Sequence, residues 1–182
     1  FTNGRLLALP GFTGDFILTL TTGAEESEVI DINFDGGITE DAVGTPGSFT
    51  RHANLVHILC NRVTVANCRG NHFPLYGLRI GDELSPAPQA NKGCVIKKCD
   101  FAEWLFTEQG REYSSLRTAR SFSMEGFQNK LIDCKGDTAL YPLYINGAEH
   151  VVSNCTFNQG GSDDTAGKVN VYIEGGSDNN LN

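Results

Sequence analysis

Two glutamates, Glu125 and Glu174, each follow directly after an apolar residue of a recurring sequence unit, and paired carboxyl groups can perform acid–base chemistry. Hydrolysis of a glycosidic bond needs two carboxyl groups about 5–10 Å apart, one of them with a raised pKa. The position directly before the same apolar residue carries Arg79, Tyr144 or Tyr172, depending on the unit, and their rings and guanidinium can bind a sugar ring and its hydroxyls. A solvated sheet face with incidental charges is the alternative for all five residues.

A second candidate set lies in the segment Ala102–Arg120, which interrupts the repeated unit. Trp104 and Tyr113 in this segment can offer flat apolar faces to a sugar, or they can simply pin the loop onto the scaffold. The segment Gly81–Asn91 is a second insertion beside it. Because loops on a rigid scaffold often carry function, both insertions are candidate binding loops.

The unit itself is a short apolar run that ends in a cysteine or an equivalent apolar residue. Ile58 precedes Cys68 by ten residues, and the same offset separates Met124 from Cys134 and Ile145 from Cys155. These units can be aligned with others that contain Ile32, Ile80, Cys99 and Ile173. Such self-similarity predicts a β-solenoid, in which inward side chains stack coil upon coil and bury a shared core. A β-sandwich of many short strands is the structural alternative.

The cysteines indicate the register of the unit rather than a metal site. Cys68, Cys99, Cys134 and Cys155 fall in one inward position, and Asn or Asp precedes three of them. Asn and Asp tolerate the left-handed backbone conformation of a tight turn. Because side chains of one ladder point in the same direction, we expect free thiols rather than disulfides. The sequence contains no paired Cys-x-x-Cys or His-x-x-x-His spacing, so we predict no metal and no cofactor.

The segment from Ile145-Asn-Gly to Val151-Val-Ser-Asn-Cys-Thr-Phe157, with its copies, resembles the right-handed parallel β-helix family of pectate-lyase-like enzymes and bacteriophage tailspikes. The resemblance implies an all-β, right-handed parallel β-helix of about five to six coils over residues 29–182. Because the last unit stops short of its cysteine position, we expect a fragment of a longer chain, truncated in mid-coil. Residues 1–28 lie outside the resemblance and form a lead-in or cap with one strand at Phe16–Leu20.

Charge narrows the range of partners. The chain has 22 acidic and 14 basic residues and a net charge of −8, which argues against nucleic acid as a partner. No apolar run reaches the roughly 18 residues of a membrane-spanning helix, so we predict no membrane span.

The resemblance implies a segment of a tailspike-like or fibre protein that recognises a surface polysaccharide. Such a protein is extracellular or on a virion surface, and it can assemble as a homotrimer. The first alternative is a secreted polysaccharide-degrading or -modifying enzyme, a glycosidase, lyase or epimerase, with Glu125 and Glu174 as the catalytic pair about 10 Å apart. The Asn-Thr-Asp, Gly-Asp-Asp and Gly-His-Gly motifs of the polygalacturonases are absent. The second alternative is a purely structural solenoid of an adhesin or fibre.

Overall fold

Short strands separated by tight turns make up the part of the chain that the structure describes, as the frequent Gly, Asn and Asp residues predict. The computed structural model describes residues 2–9, 12–37, 53–73, 75–82, 91–102, 120–138, 141–159 and 170–182. The strands are β1 (Thr2–Leu7), β2 (Phe16–Leu20), β3 (Glu28–Asp35), β4 (Asn54–Ile58), β5 (Thr64–Ala66), β6 (Arg69–Asn71), β7 (Tyr76–Ile80), β8 (Val95–Lys97), β9 (Asp100–Ala102), β10 (Arg120–Phe127), β11 (Lys130–Ile132), β12 (Lys135–Thr138), β13 (Leu143–Ala148), β14 (Val151–Ser153), β15 (Thr156–Gln159), β16 (Val171–Gly175) and β17 (Asn180–Leu181). Nowhere in these ranges is there a helix with the length and apolar character needed to cross a bilayer.

The strands are arranged in three stacks, which we number 1 to 3. Stack 1 is a six-stranded sheet in the order β2, β4, β7, β10, β13, β16. Stacks 2 and 3 share the long strand β3, whose residues 28–30 pair with β5 and residues 33–35 with β6. Stack 2 continues through β8, β11, β14 and β17, and stack 3 through β9, β12 and β15, while β1 pairs with the other edge of β3. Every pair among the described strands is parallel, so the predicted all-β parallel solenoid is confirmed and the sandwich is excluded.

The predicted cysteine column lies at the corner between stacks 2 and 3. The backbone N–H of Cys99 donates to Sγ of Cys134 at 3.5 Å, and the N–H of Cys134 donates to Sγ of Cys155 at 3.4 Å. The Cys134 thiol in turn donates to the carbonyl of Ile132 at 3.2 Å. A thiol therefore satisfies a corner N–H that strand pairing leaves unused, which explains why cysteine recurs there. All six cysteines are free thiols.

The residue before each column position has a left-handed backbone. Asp31, Asn67, Asp133 and Asn154 have φ between 52° and 59°, as predicted from their residue types. Lys98 adopts the same conformation, with φ 53°, although its side chain has no short polar group to favour it. The corner geometry is therefore imposed by the stacking of coils, and Asn and Asp adopt it at a lower cost than Lys.

In the core beside this corner, phenylalanine alternates with glycine, which has no side chain. Along stack 3, the positions in register are Phe34, Gly70, Phe101, Gly136 and Phe157. The rings of Phe101 and Phe157 extend over the neighbouring levels of the ladder, so glycine at alternate levels makes room for them. A Cβ at Gly70 would lie 2.6 Å from Cδ1 of Phe101 and 2.3 Å from Cδ1 of Leu55. The apolar anchors of stack 1 are also in register: Ile58 pairs with Ile80, and Met124 pairs with both Ile80 and Ile145.

The first 28 residues contribute strands to the same stacks. The predicted strand Phe16–Leu20 is present as β2 and pairs with β4. The sequence did not indicate β1, which pairs with β3 from Thr2 to Leu7. Its residues, Thr-Asn-Gly-Arg-Leu-Leu, lack the alternation that marks a strand with one buried face.

Candidate functional site

The outward side of stack 1 carries a continuous line of rings and guanidinium groups that crosses all six strands. We call this line the aromatic row: Phe16, His57, Tyr76, Arg120, Tyr144 and Tyr172. It begins where the ring of Phe16 stacks on His57, with centroids 4.4 Å apart, and approaches Tyr76 at 6.1 Å. Because neighbouring strands are about 4.8 Å apart, six strands give the row a length of about 24 Å.

Arginine links the two halves of the row. The Arg120 guanidinium lies 3.8 Å from the centroid of the Tyr144 ring and 5.6 Å from that of Tyr76, both within cation–π range. Tyr144 then stacks on Tyr172 of the next coil, with centroids 5.8 Å apart and planes 15° apart. The ring of Tyr141 lies against Tyr172 at 5.0 Å. Each side chain is thus held by its neighbours above and below, which fixes the rings before any ligand arrives.

Arg79 lies on stack 1, as predicted, but it is only 9% exposed. It is in register with His57 below and Ser123 above. Its Nε donates to Glu125 at 3.2 Å, and its guanidinium lies 4.9 Å from the Tyr76 centroid. Arg79 therefore supports the aromatic row from beneath and presents little of its surface to a ligand.

Glu125 is the partner of Arg79 and is 6% exposed. Its Oε1 also accepts the hydroxyl of Ser123 at 3.3 Å. Tyr144 is 2% exposed, and its hydroxyl donates to Glu174. Both predicted carboxylates are therefore occupied as hydrogen-bond acceptors of protein groups.

One part of the predicted register is wrong. The sequence alignment placed Glu174 level with Asn146 and Glu125, but Asn146 pairs with Gly175 after a register shift at Ile145/Asn146. A β-bulge of this kind inserts one residue and re-aims the side chains around it. Glu174 consequently reaches Tyr144 instead of continuing the Glu125 ladder.

The expectation that all five predicted residues are available to a sugar ligand has to be corrected. Arg79, Glu125 and Tyr144 are buried, and only Tyr172, at 37%, and Glu174 are exposed. Among the described residues Tyr172 is the aromatic side chain with the largest exposure. Tyr76 and Arg120 are half-buried, so a ligand would reach the row at Tyr76, Arg120 and Tyr172.

The sequence prediction missed Phe16, Tyr76 and Tyr141, and it assigned Arg120 to the insertion Ala102–Arg120 rather than to the sheet. Tyr76, Arg120 and Tyr141 stand four residues before the anchors Ile80, Met124 and Ile145, and Phe16 stands four before Leu20 in the same sheet. Strict alternation would place these positions inside, yet at the start of the strand their side chains contact the outward row. The recurring offset of four residues was the available signal. The other two predicted residues, Trp104 and Tyr113, lie outside the described residues.

Within the aromatic row, the surroundings of His57 favour the neutral form of its imidazole. Burial lowers the pKa of His57, and the nearby charge of Arg79 lowers it further, while a hydrogen bond to the Gly81 carbonyl at 2.8 Å opposes the shift. A neutral ring can stack on Phe16 without the cost of burying a charge. Within the described ranges no group of three or more His, Cys, Asp or Glu residues is placed to hold a metal ion.

Comparison with known proteins adds no family assignment: no protein-family model, no curated protein and no solved structure matches this chain. Its function has to be argued from the geometry of its own surfaces.

Proposed function

We propose that this chain is a polysaccharide-recognition solenoid, a segment of a tailspike-like or fibre protein that binds an extended surface glycan along stack 1. The observation that supports this function is the aromatic row, which runs parallel to the solenoid axis. Aromatic faces pack on the apolar faces of sugar rings, and guanidinium groups donate to hydroxyls. Rings repeated at the spacing of the coils suit a repeating polymer better than a small isolated ligand.

Binding is favoured over hydrolysis because the two candidate carboxylates are already engaged. Glu125 accepts bonds from Arg79 and Ser123, and Glu174 accepts the hydroxyl of Tyr144. A general acid or nucleophile has to reach the scissile bond, and Glu125 is buried on the outward side of its strand. In this proposal the two glutamates orient the row, and the chain works outside the cell or on a virion surface. A homotrimer there would present three rows and gain affinity by multivalency.

The test is a glycan array followed by affinity measurement on the best glycan, using the chain and its Tyr172→Ala variant. Loss of one stacking ring should weaken binding about two- to tenfold. Tyr172→Phe keeps the ring and should retain the affinity. Leu181→Ala removes a similarly exposed apolar side chain, 44% exposed, from stack 2 and should have no effect.

Two other outcomes would overturn the proposal. Absence of binding to any glycan at millimolar concentrations would favour the purely structural solenoid. Cleavage of a polysaccharide that is abolished by Glu125→Gln, in a variant with unchanged thermal stability, would favour the enzyme. Light scattering on the same preparations measures the assembly, and a monomer would contradict the trimeric form of the proposal.

A further inference from the structure

A concave groove of about 440 Å³ lies on the outward side of stack 3, on a different sheet from the aromatic row. It crosses β1, β3, β6 and β9, so it spans three strand spacings, or about 14 Å. Ligand-binding clefts typically enclose 300–1,000 Å³, and this groove is within that range. Its polar lining consists of Arg5, Asn33, Asp35, Arg69, Asn71 and Asp100.

One charged pair of the lining is internally neutralised. The Arg5 guanidinium donates to Asp35 at 2.9 Å, and His72 Nδ1 lies 2.9 Å from the other carboxylate oxygen. Burial raises the pKa of Asp35, but hydrogen bonds from His72, the Gly37 N–H and Arg5 outweigh it and hold that pKa below its usual value. Asp35 is therefore an ionised, fixed acceptor at neutral pH.

The other two charged residues of the lining are neighbours in register without forming an ion pair. Arg69 of β6 pairs with Asp100 of β9, so the two side chains occupy neighbouring levels of the same outward column. Two arginines and two aspartates line the groove, and their formal charges sum to zero. A neutral ligand therefore meets no net electrostatic attraction or repulsion in the groove. An anionic ligand that approaches the arginines is also repelled by the neighbouring aspartates.

Hydrogen-bonding capacity in the groove remains unused by the protein. Among the described residues the Arg69 guanidinium has no hydrogen-bond or ion-pair partner, and Oδ1 of Asp100 is buried without one. Because χ2 of an aspartate rotates over a broad range, either oxygen of Asp100 can turn to a ligand. The Asn33 and Asn71 amides add donors and acceptors beside them. Buried polar groups left without partners cost free energy, so ligand hydroxyls that pair with these groups would be stabilising.

We propose that this groove is a second binding site, specific for a neutral, polyhydroxylated ligand such as an uncharged oligosaccharide. The mixture of carboxylate, guanidinium and amide groups matches the donor and acceptor character of sugar hydroxyls, and the balanced charge selects against acidic sugars. The site shares no residue with the aromatic row, so this proposal does not depend on the function proposed for stack 1.

The experiment is a comparison of variants on an array that carries both neutral and acidic oligosaccharides, followed by titration of the neutral hits. Arg69→Ala and Asn33→Ala change exposed side chains and should leave the fold intact. Arg69→Ala should weaken neutral-glycan binding at least about tenfold, the loss expected for a charge-assisted hydrogen bond. Lys130→Ala, which removes an exposed cation from stack 2, is the matched control and should bind as the wild type does.

Tyr172→Ala separates the two sites. Neutral-glycan binding that persists in Tyr172→Ala but is lost in Arg69→Ala supports the groove. The proposal is overturned if neutral glycans do not bind, if only acidic glycans bind, or if Arg69→Ala and Asn33→Ala both bind like the wild type. If binding disappears in Tyr172→Ala alone, the groove is refuted and the aromatic row is supported.

Discussion

Burial of the His150 side chain should make this protein less stable in mild acid. Replacing His150 by asparagine tests whether the buried ring stays neutral. The side chain is fully buried at the inward corner between stacks 1 and 2. Nδ1 accepts the N–H of Asn129 at 3.2 Å, so the neutral ring carries its proton on Nε2. Nε2 has no hydrogen-bond partner in the described residues, and a Cβ on Gly147 would lie 2.7 Å from it.

Burial lowers the pKa of His150 from 6.5 to about 4. Protonation would also convert the Nδ1 acceptor into a donor facing the N–H of Asn129. In the unfolded chain the imidazole titrates near 6.5, so its stabilising contribution is complete above that pH and is lost as the pH falls towards 4. At 1.36 kcal/mol per pKa unit, the full loss is about 3 kcal/mol, and about 2 kcal/mol of it has occurred by about pH 5.

The assay is urea denaturation followed by far-UV circular dichroism at about pH 7.5 and about pH 5. His150→Asn supplies an oxygen acceptor for the Asn129 N–H and has no titrating group. Its free energy of unfolding should therefore fall between the two pH values by about 2 kcal/mol less than that of the wild type. His150→Gln, which also lacks a titrating group, should show the same reduced fall. His57, whose pKa is also lowered, contributes equally to all three proteins and cancels.

An equal loss of stability in wild type and His150→Asn would refute the argument that the buried ring stays neutral. So would a wild-type loss in His150→Gln.

Two further predictions concern the ladders. Gly70→Ala should lower the free energy of unfolding by about 1–3 kcal/mol, because the new methyl group would overlap Leu55 and Phe101. Phe101→Leu should recover part of that loss in the double variant, whereas additive losses in a double-mutant cycle would contradict the packing argument. Lys98→Asn should raise the thermal midpoint, with a gain of up to about 1 kcal/mol, because asparagine tolerates the left-handed φ of 53° that lysine adopts there. The matched change Lys97→Asn, in the adjacent strand β8, should give no gain.

The inward half of this structure could be predicted because stacking restricts it. The column from Cys68 to Cys155 and the anchors Ile58, Ile80 and Ile145 recur since each coil buries the same position against the next. Residue type and spacing alone therefore indicated register, corner conformation and parallel pairing. β1 could not be predicted in this way, because its partner β3 supplies the pairing and its own residues do not alternate.

The outward half could be predicted only in part. Alternation correctly placed Arg79, Tyr144 and Tyr172 on the outward side of stack 1, but exposure on a solenoid depends on neighbouring coils that lie far apart in sequence. The β-bulge at Ile145/Asn146 shifted Glu174, and alternation carries no signal for a bulge. The groove on stack 3 combines residues from four strands between positions 5 and 102, and no single repeat unit contains enough of them to reveal it.

The buried pair of Arg79 and Glu125 decides how the functional variants should be interpreted. Its two side chains are 11% and 7% exposed, so the pair forms at a desolvation cost that a hydrophobic pair would avoid. Removing one charge from such a pair typically costs about 3–5 kcal/mol because the partner is left buried and uncompensated. In Glu125→Gln, the amide oxygen can still accept from Arg79, and Asp82, 3.4 Å from Arg79, remains to balance the charge. The loss of stability in Glu125→Gln should therefore lie below that range. If this variant binds glycan more weakly while its thermal midpoint is unchanged, the pair serves to orient Tyr76 rather than to stabilise the fold.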